Sequence, residues 1–326
     1  MSPPLAAPVA AVRIGTRRSP LARRQTELVV DLLVAFWPGL MCDVAPIDTR
    51  GDRTQASGEP LPEIGGKGLF TAELERALRE GEIDLAIHSL KDLPTEDAPG
   101  VVVGAVCPRE DARDCLVARD GLGLDDLPAG AVVGTSSLRR SAQLAALHPD
   151  LEARSIRGNV DTRVRKVAEG EFDAVLLAAA GVIRLGLEDA VTEWLSPERM
   201  LPAPGQGALA VQCRAGNGAM LELLAAIDDP AARAATAAER GFLRALEAGC
   251  TAPVAAHAEP GRRLKPGWTA HRVGQAPIRL VGLVISPDGR QAVRVAREGS
   301  SDVIGERLAR EALAAGADGI LAAIRG

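Results

Sequence analysis

Short apolar runs alternate along this chain with longer amphipathic stretches. Val12–Gly15, Val44–Ile47, Leu85–Ile87 and Val101–Val106 are runs of strand length. Between them, Ser19 and Pro20 have the form of a helix cap and first helical residue, and Leu21, Leu28, Leu32 and Phe36 supply an apolar face. Thr71–Glu80 has helical spacing as well. The rhythm resumes after residue 113. Strands are expected at Cys115–Ala118, Ala131–Gly134, Glu152–Ile156 and Ala174–Ala178, and helices at Ser137–His148 and Val160–Glu169. Such alternation predicts parallel sheets with crossover helices, in two α/β blocks.

The pattern then changes. Pro230–Ala248 is one Ala-rich helix ended by Gly249. Arg279–Ile285 and Gln291–Arg297 are strands joined by Ser-Pro-Asp-Gly, a hairpin signal, and Ser301 caps a last helix. This is a smaller α+β domain. Residues 259–278 are rich in Pro and Gly and give no assignment. Thr49–Gly68 is polar and Gly-rich, and a loop of that length is usually a lid or binding loop.

Composition narrows the function. With 47% apolar and 25% charged residues, the 326-residue chain is an ordinary globular protein of two or three domains. Aromatics at 2% argue against a stacking surface for single-stranded nucleic acid. A net charge of −5 leaves no global basic footprint for nucleic acid or membrane, so any anion site is local. The first ten residues read as neither a signal peptide nor a membrane span, which makes the cytoplasm the expected location. The five cysteines, at 42, 107, 115, 213 and 250, show no metal-site spacing, so no metal is expected.

Chemistry is expected first after Leu85–Ile87, where the run ends in His88, Ser89, Lys91 and Asp92 before Pro94. Ligands of open α/β sheets bind beyond the carboxyl ends of strands, which makes Asp92 the first candidate; a solvated strand exit is the alternative. His88 is read as structural rather than catalytic. Three helix starts strengthen the case. Helix N-termini favour acids, yet Arg17 and Arg18 precede the Ser19 cap, and Arg139 and Arg140 follow Gly134-Thr-Ser-Ser137. Arg157 precedes Gly158-Asn159, with Arg163 one turn later. Together they suggest an absent anion, unless surface acids pair with them. Carboxylates suit better than phosphate. Gly65-Gly-Lys-Gly68 lacks the P-loop Ser or Thr, and Gly205-Gln-Gly207 follows Leu-Pro-Ala-Pro rather than a strand.

These segments resemble the porphobilinogen deaminase (hydroxymethylbilane synthase) family. The matching pieces, in family order, are Arg13-Ile-Gly-Thr-Arg-Arg-Ser-Pro-Leu-Ala22, Gly65-Gly-Lys-Gly-Leu-Phe70, His88-Ser-Leu-Lys-Asp-Leu-Pro94, Arg109-Glu-Asp-Ala-Arg-Asp114, Gly134-Thr-Ser-Ser-Leu-Arg-Arg140, Arg157-Gly-Asn-Val-Asp-Thr-Arg163, Pro204-Gly-Gln-Gly207 and Ala248-Gly-Cys-Thr251. They cover about residues 11–255, and the remainder matches in outline. Ala248 departs from the Gly common at that position.

The resemblance implies that four porphobilinogen molecules are joined head to tail with loss of ammonia, giving hydroxymethylbilane. It implies two periplasmic-binding-protein-like α/β domains around a cleft plus a small C-terminal α+β domain. The expected extents are 11–107 with 206–226, 112–201, and 230–326. A dipyrromethane cofactor is implied, held by a thioether to Cys250, with Asp92 catalytic. Lys91, Ser89, Thr135, Ser137, Arg139, Arg140 and Arg163 are implied at the cofactor, and Arg17, Ser19, Arg157, Arg184, Gln206 and Lys67 at the substrate. The enzyme is expected to be a monomer acting on porphobilinogen, with no nucleic acid or membrane partner. Two rival readings differ in class. One is a carboxylate-binding protein without turnover; the other, an NTP- or dinucleotide-dependent enzyme, lacks its motifs.

Overall fold

The computed structural model describes residues 7–51, 71–246, 252–260 and 277–325. Lys67, Cys250 and most of the expected 49–68 loop lie outside the described residues, as does the end of the helix expected to reach Ala248. The chain divides into two compact units, residues 1–110 with 208–233, and residues 111–207 with 234–326.

The first unit is built on a five-stranded sheet. Its strands are β1 (Ala11–Thr16), β2 (Met41–Pro46), β3 (Leu85–Ser89), β4 (Val101–Val106) and β10 (Leu209–Arg214), in the order β2-β1-β3-β10-β4. Helices α1 (Pro20–Phe36) and α2 (Ala72–Glu80) connect strands on one run of chain, and α6 (Gly218–Ala225) follows β10. β2 and β3 run parallel to β1, whereas β10 is antiparallel to both β3 and β4. The expectation of a wholly parallel sheet is thereby corrected. The local rhythm of β and α does not reveal β10, which arrives from far along the chain and inserts between two parallel strands.

The apolar face expected for α1 is also corrected. Its buried residues are Ala22, Gln25, Thr26, Val29 and Leu33, and Phe36 is exposed. Val29 and Leu33 join Val12, Ile14, Leu85 and Val211 in the core. Two polar residues occupy the buried stripe because each finds a partner. The Thr26 hydroxyl donates to Thr16 Oγ1 at 2.7 Å, and Gln25 Nε2 donates to Ser89 Oγ at 2.9 Å.

The second unit repeats this strand plan. Its five-stranded sheet holds β5 (Asp114–Ala118), β6 (Val132–Gly134), β7 (Glu152–Arg154), β8 (Ala174–Ala178) and β9 (Glu193–Leu195), in the order β7-β6-β8-β5-β9. Here β5 is the antiparallel strand, between β8 and β9. Helices α3 (Leu138–Leu147), α4 (Val160–Ala168) and α5 (Ala179–Arg184) follow β6, β7 and β8.

The same unit carries the small α+β part. A three-stranded antiparallel sheet has the order β11 (Val254–Pro260), β12 (Ile278–Ile285), β13 (Ala292–Gly299). One face packs Leu280 and Val284 against Phe242 of α7 (Pro230–Ala245) and against Ile304 and Leu308 of α8 (Ser301–Ala312). The other face sets Ala255, Val281, Leu283 and Ile285 against Ala142 and Leu201. β12 is therefore buried on both faces, which explains its unbroken apolar run. The expected hairpin is present. Ser300, one residue before Ser301, is the cap position of the last helix. That helix is followed by a segment, Leu313–Ala317, in which Gly316 leaves helical geometry at φ +102°, and then by α9 (Asp318–Arg325).

Candidate active site

In the first unit the candidate residues gather at the carboxyl ends of two paired parallel strands. β1 ends at Thr16 and is followed by Arg17 and Ser19; β3 ends at Ser89 and is followed by Lys91 and Asp92. Ser19 caps α1, its Oγ accepting from Ala22 N at 3.3 Å. The chain leaves β3 through a 3-10 turn, Leu90–Asp92, before Leu93 takes up the extended conformation that Pro94 requires. That turn buries Leu90 and leaves Lys91 and Asp92 exposed. Gln25 ties the two strand ends together through Ser89, so the segment before Asp92 is fixed from α1.

His88 points into the protein. Burial, and then the positive charge of Arg17, push its imidazole down to about 4, and a bond with Gln212 only partly offsets this. Its Nε2 has no hydrogen-bond partner among the described residues. A neutral, buried ring supports the structural reading of His88 over an acid–base role.

In the second unit the candidates collect after the three adjacent parallel strands β7, β6 and β8. Ser137 caps α3, its Oγ accepting from Arg140 N at 3.4 Å, and Thr135 Oγ1 accepts from Ser137 N at 3.2 Å. Ser136 bonds to Ser155 Oγ and Ile156 O, joining the β6 exit to the β7 exit. Gly158 turns the chain before α4 at φ +116°, a conformation that costs glycine little. Its carbonyl accepts from Arg163 Nε at 2.9 Å.

Arg139 and Arg140 are buried, and here the expectation of an absent anion needs correcting. Their charge is met inside the chain by Asp114, the first residue of β5, which is fully buried. Arg139 Nη1 donates to its Oδ2 at 2.7 Å, and Arg140 Nη2 to its Oδ1 at 2.8 Å. Gln206 Nε2 adds a third donor at 2.7 Å. Burial alone would raise the Asp114 pKa, but the two guanidinia reverse this and hold the carboxyl well below the usual carboxylate range. Arg18 is paired at the surface with Asp48, at 2.5 Å.

Asp114 does not satisfy the whole cluster. Arg139 Nε is buried without a hydrogen-bond partner among the described residues. Arg163 makes no ion pair among them, and burial together with the charge of Arg140 lowers its pKa to about 10. Asp114 thus meets the charge of two guanidinia at the exits of β6 and β7, and the third, Arg163, is crowded against Arg140 without an acid among the described residues. Such a group favours an added anion. Arg184, at the end of α5, donates from Nη2 to Gly207 O at 2.7 Å. Arg157 lies half-buried in the turn before α4.

Three residues of this framework were not anticipated: Asp114, Gln25 and Glu239. Glu239, on α7, is fully buried and accepts from Gly205 N and Ala258 N at 2.7 and 2.8 Å. It thereby holds the Gly205–Gly207 strap, from which Gln206 reaches Asp114 and Gly207 reaches Arg184. Cys42, Cys107, Cys115 and Cys213 form no disulfide among the described residues, and burial pushes Cys115 up to about 12. Among the described residues no cluster could hold a metal ion, and no helix is long and apolar enough to cross a membrane.

Fold and site define an α/β protein that gathers guanidinium groups beyond the carboxyl ends of parallel strands. Comparison with known proteins makes this specific. Residues 12–222 match the profile described as porphobilinogen deaminase, dipyromethane cofactor binding domain, and residues 234–314 match the porphobilinogen deaminase C-terminal domain. A porphobilinogen deaminase of Brevibacillus brevis is 46% identical over 96% of this chain and 97% of its own. That of Roseiflexus castenholzii is 50% identical over 95% and 98%. Porphobilinogen deaminase 1 of Streptomyces coelicolor is 48% identical over 95% and 97%. Among solved structures, the BvgS VFT2 domain of Bordetella pertussis covers 67% of this chain and 86% of its own at 18% identity, with a TM-score of 0.41.

The chain belongs to the porphobilinogen deaminase family. It is a transferase of tetrapyrrole biosynthesis that joins four porphobilinogen molecules head to tail, releasing ammonia and giving hydroxymethylbilane, and its cofactor is dipyrromethane. The non-catalytic binding reading is not favoured. The donor set can meet the carboxylates of such a group: among the described residues Arg139 Nε has no hydrogen-bond partner and Arg163 no ion pair.

Proposed function

We propose that Asp92 is the catalytic carboxylate of this reaction. Lys91, Ser89, Thr135, Ser137, Arg139, Arg140 and Arg163 hold the dipyrromethane, which is joined through a thioether to Cys250. Arg17, Ser19, Arg157, Arg184, Gln206 and Lys67 take the carboxylates of incoming porphobilinogen. The observation that carries this reading is the crowding of Arg139, Arg140 and Arg163 at the exits of β6 and β7, where Asp114 pairs with only the first two. When bound, the cofactor supplies the anchored pyrrole to which units are added.

The roles follow from charge. Loss of ammonia from porphobilinogen leaves a cation, and a carboxylate close to it lowers the barrier. Asp92 sits exposed on a turn that Leu90 and the Gln25–Ser89 bond fix, so it is available to substrate while its backbone stays in place. The arginines neutralise two carboxylates per pyrrole and orient the ring. The three sheets support three domains, of which the second and third lie within one compact unit; the expected extents are 11–107 with 206–226, 112–201, and 230–326. The enzyme is read as a cytoplasmic monomer; the low aromatic content and the net charge of −5 support its engaging neither nucleic acid nor membrane.

Asp92→Ala tests the assignment. The variant is expected to bind porphobilinogen with near-normal affinity while product formation falls by about 100-fold or more. Turnover within a few-fold of wild type would remove Asp92 from the chemistry.

A further inference from the structure

We propose that the C-terminal α+β part carries a second anion site, for a small dianion such as a phosphate monoester or a dicarboxylate. A cavity of about 320 Å³ is lined by Arg297 of β13 and by Arg307, Arg310 and Glu311 around α8. It is an open depression in the surface, and Arg297, Arg307 and Arg310 are exposed in it. None of these residues belongs to the guanidinium cluster beyond β6 and β7.

The register of β13 shows why the site is unusual. Arg297 pairs with Leu280, which is fully buried beneath the helices. Residues directly opposite in a sheet point to the same face, so Arg297 continues the helix-facing row begun by Val293 and Val295. A core-facing row ends in a guanidinium there, at the open edge of the three-stranded sheet. It pairs with Glu311.

That carboxylate is outnumbered. Arg307 and Arg310 flank it and make no ion pair among the described residues, and they sit three residues apart on one helix. Like charges at that spacing cost a few tenths of a kcal/mol. Glu306, four residues before Arg310, forms no ion pair with it among the described residues. The helix dipole accounts for Arg310, which lies in the last turn of α8, but not for Arg307 a turn earlier or for Arg297 on a strand. Three guanidinia and one carboxylate leave a local charge of +2 in a chain of net −5. Guanidinium forks match phosphate and carboxylate geometry in pairs, which makes a dianion the fitting occupant.

The test uses the full-length enzyme with ¹⁵N-labelled arginine. Cross-peaks of Arg297, Arg307 and Arg310 Nε are followed by NMR during titration with inorganic phosphate, with succinate, and with chloride at matched ionic strength. Saturable shifts with phosphate or succinate, absent with chloride, are expected. The stronger of the two anions identifies the ligand chemistry. Arg307→Ala with Arg310→Ala should weaken binding at the remaining Arg297 at least about tenfold while leaving deaminase activity unchanged, since both positions are exposed on a helix that accepts alanine. Shifts that fail to saturate, that chloride reproduces, or that persist at Arg297 with unaltered affinity in the double variant would overturn the site.

Discussion

Removing the Asp114 carboxylate should expose how much the guanidinium cluster depends on it. Asp114 is fully buried, as nearly are Arg139 and Arg140, and three donors converge on it between 2.7 and 2.8 Å. Asp114→Ala leaves two buried cations without their counter-charge. Breaking a buried pair in this way costs about 3–5 kcal/mol. With a urea m-value of about 2–3 kcal/mol/M, the midpoint for the unit containing Asp114 should fall by roughly 1–2 M. Asp114→Asn, which keeps the shape and one acceptor, should lose less. The pH dependence gives a second readout. A carboxyl with a depressed folded pKa adds stability above its unfolded pKa, near 3.9, and loses it as pH falls through the folded value. The gap between wild type and Asp114→Asn should therefore be full at pH 5–8 and shrink below about pH 4. A midpoint for Asp114→Ala within about 0.3 M of wild type would refute the reasoning, because it would mean the guanidinia do not rely on this carboxylate.

Other outcomes follow from the same geometry. Arg163→Ala should lower the fraction of the chain carrying dipyrromethane with little loss of stability, since a crowded cation is removed; intact-mass spectra and urea melts separate the two effects. The depressed pKa of His88 means that the unfolded chain binds a proton the folded one refuses between about pH 6.5 and 4. Stability should fall with pH across that window, and His88→Gln should flatten the fall without introducing or removing a limb in the pH–rate profile. Glu239→Ala should weaken substrate binding through the Gly205–Gly207 strap, and its effect should not add to that of Gln206→Ala in a double-mutant cycle.

Much of this molecule is legible in its sequence where local rules suffice. Ser19 and Ser137 announce their helices, and Asp92 follows a strand at the place where open α/β sheets bind ligands. The arginines that break the helix-dipole rule do mark the cluster. What the local pattern omits is long-range. Asp114 lies 25 residues from Arg139, at the start of a strand, and nothing nearby indicates which cations it serves. β10 inserts antiparallel after Leu-Pro-Ala-Pro, so the helix-and-strand rhythm implied a wholly parallel sheet. Counting apolar residues misplaced the buried face of α1, because Gln25 and Thr26 are buried through hydrogen bonds that periodicity does not register. Buried polar residues at the site are thus the least visible feature, although they fix the positions of the visible ones.

The central claim is a porphobilinogen deaminase whose dipyrromethane is carried on Cys250. Intact-mass spectrometry of the purified chain tests it most directly. The wild type should be heavier than its sequence mass by two linked pyrrole units, and Cys250→Ser should appear at its own sequence mass and be inactive. A fully active wild type at unmodified mass, or an adduct that survives in Cys250→Ser, would contradict the account.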